Sequence, residues 1–131
     1  MGLIDRAFGA DKNSMLAHTL AMHWRFVSSH YENHIKENEL TEDRKKLLLD
    51  IIENANALAK LSEASIKGFG VVNFDMQAYS PIMSKLRDLY AKIDFNTEKP
   101  NWLPQAITAT ESIIVGNKKL YMKTNIWFTD R

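Results

Sequence analysis

Apolar residues recur at helical intervals along most of this chain, and the interval fixes where each element is expected. The cleanest stretch is 41–68. Leu48, Ile51, Ile52, Ala55, Leu58, Ala59, Ser62 and Ile66 return at threes and fours, against a polar back of Asp50, Glu53, Lys60 and Lys67. Such spacing places one apolar stripe on an amphipathic helix. Thr41 stands at its N-cap, Glu42 and Asp43 suit the positive end of the helix dipole, and Gly68 suits a left-handed C-terminal cap.

Upstream, "GADKNS" at 9–14 collects turn and cap residues, which predicts a helix from about Ser14 to Lys36. The short apolar group Leu3, Ile4, Ala7 and Phe8 before it is expected to pack on the body of the domain. Downstream, "GFGVVNFD" reads as a loop or one short strand. Its Gly-x-Gly closes a helix, whereas a dinucleotide fingerprint follows a strand and opens one. Ser80 and Pro81 form an N-cap and first-turn proline for a third helix bearing Ile82, Met83, Leu86, Leu89, Tyr90 and Ile93.

The last quarter carries two patterns. Leu103, Ile107, Thr110, Ile114 and Tyr121 form a helical seam from about Pro104. Gly116-Asn117, followed by alternating Leu120, Met122, Thr124, Ile126 and Phe128, reads instead as a hairpin. The helical pattern is preferred. The fold expected is therefore an all-α antiparallel four-helix bundle in one domain over 1–131, with α+β through a C-terminal β-hairpin as the alternative.

The first helix is unusual because it is apolar over more than half its circumference. At ~100° per residue, Ala17, Leu20, Trp24, Val27, Tyr31 and Ile35 line one side. Met15, Met22 and Phe26 line a second stripe roughly 120° away on the same wheel. One neighbouring face cannot cover both. Either this helix is central, or the second stripe meets a partner, most simply another copy of the chain.

Composition narrows the chemistry. At 131 residues, with 45% hydrophobic and 25% charged positions, the chain has the makeup of an ordinary globular protein. A formal net charge of +1 gives no electrostatic reason to expect nucleic acid or an anionic membrane. The absence of cysteine removes disulfides, thiolate metal sites and cysteine nucleophiles. No apolar run reaches membrane-spanning length, and the start lacks the long apolar core of a secretory signal, so a cytoplasmic location is expected.

Three histidines fall in "HWRFVSSHYENH" at 23–34. His30 and His34 lie one helical turn apart, with Glu37 three residues on, an arrangement that suits zinc or nickel. No further histidine exists outside this helix to complete the set, so the preferred reading gives them hydrogen-bonding roles and no cofactor. Acidic residues fall on expected solvent faces, which leaves no carboxylate pair for acid–base catalysis. The tail interleaves Lys118, Lys119 and Lys123 with Tyr121, Trp127 and Phe128. That mixture occurs in single-strand binders, but here it is read as aromatics that pack or bind a protein partner.

The function expected is a non-enzymatic interaction protein, an adaptor, regulator or inhibitor. Met15, Met22, Phe26, Trp127 and Phe128 are its contact residues and a homodimer its simplest assembly. The alternative is a metal-binding bundle or metal-dependent enzyme using His30 and His34.

Overall fold

A computed structural model describes residues 2–68 and 71–117, with side chains for 14–67 and 72–116. Four α-helices lie among them: α1 (Gly2–Glu37), α2 (Glu42–Ala64), α3 (Met76–Ala91) and α4 (Trp102–Asn117). A small antiparallel ribbon of β1 (Ile66–Gly68) and β2 (Val71–Val72) joins α2 to α3, with Ile66 opposite Val72. A short 3₁₀ turn at Asn96–Glu98 interrupts the connector from α3 to α4. The architecture is an all-α helical bundle.

Several boundaries differ from expectation, each for a local reason. α1 begins at Gly2 and runs through the turn residues of 9–14, so no cap forms near Ser14. A glycine inside a helix costs only about 1 kcal/mol relative to alanine, too little to end one that continues on both sides. α2 does begin after Thr41, whose hydroxyl accepts from the Arg44 N–H. It ends at Ala64 with Ser65 as cap, and Gly68 belongs to β1.

α3 starts at Met76, earlier than Ser80 and Pro81 suggest, because Asp75 caps it by accepting from the Gln77 and Ala78 N–H groups. The early start serves burial. Tyr79 is inaccessible and shares a 2.9 Å hydrogen bond with Ser62 of α2. Pro81 consequently sits in the second turn, where it has no N–H for the carbonyl four residues back. α4 starts at Trp102 and carries Gly116 and Asn117 in its last turn, where the hairpin alternative needs its bend. The remainder of that pattern lies outside the described residues.

The core is one continuous cluster drawn from all four helices. The stripe expected on α2 is buried from Leu48 to Ser62. Ala17, Leu20, Trp24, Val27 and Tyr31 of α1 are buried with it. Trp24 Nε1–H donates to Thr110 Oγ1 of α4 at 3.0 Å, and that hydroxyl donates in turn to the Ala106 carbonyl at 2.8 Å. The indole is thus placed in an apolar core without leaving its one donor unpaired.

Candidate functional site: an exposed apolar face and a buried carboxylate

Two features of α1 stand out from the core. The first is its second stripe. Met15, Met22 and Phe26 are 63%, 69% and 60% exposed, while Trp24, two residues from Phe26, is wholly buried. From Met15 to Phe26 the stripe runs about 16 Å along the helix at 1.5 Å per residue. Isolated exposed apolar side chains are ordinary on proteins, but three aligned large ones form a patch. Its far end meets α4, where the Phe26 and Trp102 rings lie 6.2 Å apart and tilted. His30, one turn further along α1, sets its ring edge-on to Trp102 at 5.1 Å and to Tyr31 at 5.1 Å. Burial there, reinforced by the nearby charge of His34, holds the His30 imidazole below its ordinary value of 6.5.

The second feature is Glu98, in the connector before α4, which is only 2% exposed. Its carboxylate accepts from His34 Nε2 of α1 at 2.9 Å, and from Arg44 Nε of α2 at 3.4 Å. Arg44 Nη2 adds a second, closer contact to the same group. The Glu98 carbonyl accepts from the Tyr31 hydroxyl at 2.9 Å. Arg44 also stacks 3.6 Å over the Phe95 ring, and the Asn38 side chain donates to the His34 carbonyl at 2.9 Å. Burial pushes the Glu98 carboxyl up, but the hydrogen bonds and charges of Arg44 and His34 outweigh it and hold it below 4.5. Burial also drives the Tyr31 phenol up, with Tyr90 and Glu98 adding to the effect.

These placements answer the sequence expectations one by one. Met15, Met22 and Phe26 share one exposed face, as their register implies. Trp127 and Phe128 lie outside the described residues. His34 is engaged by Glu98, His30 packs among aromatics, and Glu37 is exposed. Among the described residues no group of three or more His, Asp or Glu side chains gathers as a cation site. Glu98 overturns the expectation that the acids all sit on solvent faces. No sequence signal marks it, because its partners lie 64 and 54 positions away.

A metal titration tests the two histidines directly. Equimolar zinc or nickel is expected to leave the melting temperature of the parent, His30→Ala and His34→Ala proteins unchanged relative to chelator. A metal-induced rise in the parent that disappears in both variants would establish the metal-binding reading instead.

The chain matches no protein-family model, no curated protein and no solved structure. Among the described residues no helix is long and apolar enough to cross a membrane.

Proposed function

We propose that this protein is a non-enzymatic interaction protein that works through the outer face of α1, with a second copy of the chain as its first partner. One observation carries the reading: Met15, Met22 and Phe26 stand exposed in line on a helix whose opposite side is buried from Ala17 to Tyr31. Covering that face removes apolar area from water at roughly 25 cal/mol per Å². Methionine suits such a surface, since its unbranched, polarisable chain adapts to a partner's contours.

Two properties favour a second copy. A two-fold pairing brings one apolar stripe against an identical one, so a single surface supplies both halves of the contact. The formal net charge of +1 puts little repulsion between copies.

Phe26→Asp tests the reading. A charge in the contact is expected to give a folded monomer, because the cost falls on association. Light scattering at rising concentration measures the mass, and circular dichroism reports the fold. A parent that stays monomeric at high concentration, or a Phe26→Asp chain that unfolds, would overturn the proposal.

A further inference from the structure

The connector between α3 and α4 is tied to the bundle by a set of polar contacts that converge on Glu98. Of residues 94–101 only Glu98 is buried; 94–97 and 101 are exposed. Apolar burial resumes on either side, at Ile93 and at Leu103. Between those anchors the segment is tied to α1 and α2 through the Glu98 carboxylate, on His34 and Arg44, and through its carbonyl, on Tyr31. The Tyr90 hydroxyl donates to the Pro100 carbonyl at 3.0 Å, and Arg44 covers Phe95.

We propose that residues 94–101 form a releasable strap, which lifts from the α1–α2 pair as a unit while the helices stay folded, with Glu98 as its catch. Polar contacts of this kind are exchanged for contacts with water at a small net cost, whereas apolar burial is not. Opening therefore requires far less than unfolding the core, and belongs with the sub-global motions of low-stability segments. The contacts also assign the catch its place. Phe26, His30 and His34 follow one another at intervals of four along α1, and the strap and the start of α4 lie on that ridge through Glu98 and Trp102. Lifting the strap uncovers the His34 end of a ridge whose Met22–Phe26 end is already exposed. The strap stands on the connector's own contacts, and only this consequence for association rests on the docking reading above.

Native-state proteolysis with a glutamate-specific endopeptidase reads the catch itself. The enzyme cuts after Glu98 only when that side chain has left His34 and Arg44 and the segment has become extended. In the parent, cleavage of the Glu98–Lys99 bond, identified by mass spectrometry, is expected at a rate almost independent of low urea concentrations, as for a local opening. Tyr31→Phe removes one hydroxyl and is expected to speed that cleavage roughly several-fold, through the lost hydrogen bond to the Glu98 carbonyl. Cleavage after Glu39, in the exposed link between α1 and α2, should stay at the parent rate. A Glu98–Lys99 bond cut only as fast as the whole protein unfolds, with the same urea dependence, would overturn the strap. Equal acceleration at both bonds in Tyr31→Phe would remove Glu98 as its catch. A monomeric parent would sink the docking reading and leave this result untouched.

Discussion

Trp24→Asp unfolds the chain: the expected circular dichroism spectrum is that of a coil, with no cooperative thermal transition. Trp24 is wholly buried in the core, and its one polar atom is matched to Thr110 across the gap to α4. Truncating a buried aromatic costs about 3 to 5 kcal/mol through lost transfer energy and the cavity left behind. The carboxylate adds several kcal/mol more, since the buried residues of the described core include no lysine or arginine to pair with it and an unpaired buried charge is penalised heavily. Together these approach the total stability of a small domain, about 5 to 15 kcal/mol. Phe26→Asp, two positions away, puts the same charge on a side chain that is 60% exposed, and is expected to keep the helical spectrum. A Trp24→Asp chain that melts cooperatively within a few degrees of the parent would show that α1 is not the centre of this core.

That contrast was legible in the amino-acid pattern because helical register depends only on local spacing. The same rule placed Leu48 through Ser62 of α2 in the core. It failed where a long-range contact outweighs a local preference. Ser80 and Pro81 form a sound local start signal, yet α3 begins at Met76, because starting there buries Tyr79 against Ser62 on another helix. Turn residues at 9–14 likewise do not end α1, since propensity penalties are small beside the hydrogen bonds of a continuing helix.

The candidate site divided along the same line. The Met15–Met22–Phe26 face is a matter of register and was readable. Glu98 was not, because the stretch around it has no periodicity and a carboxylate is ordinarily a surface residue. What buries it is the convergence of His34 from α1 and Arg44 from α2, both distant in sequence. Histidine spacing offers a metal site only as an alternative to hydrogen-bonding roles, for a related reason. An i, i+4 pair is visible in the sequence, but the acidic partner that engages His34 is not.

The same cluster yields the second large effect, and it is asymmetric. Removing one member of a buried ion pair typically costs about 3 to 5 kcal/mol, because the other charge is left uncompensated. Which member goes decides the cost here. Arg44 and His34 keep 25% and 17% of their side chains exposed, whereas Glu98 keeps 2%. While the connector stays in place, the cations can turn toward water and the carboxylate cannot; it reaches water only if the whole strap lifts. Arg44→Met removes the guanidinium from both Phe95 and Glu98 and strands the carboxylate on His34 alone. It is expected to cost about 3 kcal/mol at neutral pH, the low end for a stranded buried charge, because lifting the strap can wet the carboxylate. Glu98→Gln removes the stranded charge itself and is expected to cost only about 1 to 2 kcal/mol.

The pH dependence separates the two cases further. In the parent the folded Glu98 value lies below 4.5. Its stabilising contribution is therefore complete above 4.5 and is lost as the pH falls through the folded value. Without Arg44 the main opposing influence is gone, burial raises the carboxyl, and folding takes up a proton that the unfolded chain releases. Acidification toward pH 4 then relieves the Arg44→Met protein while it weakens the parent, so the stability gap between them narrows. Urea unfolding of the parent, Arg44→Met and Glu98→Gln proteins at pH 7 and pH 4 measures both effects. A gap that stays constant with pH, or a Glu98→Gln protein as unstable as Arg44→Met, would mean that Glu98 is not the charge confined by this fold.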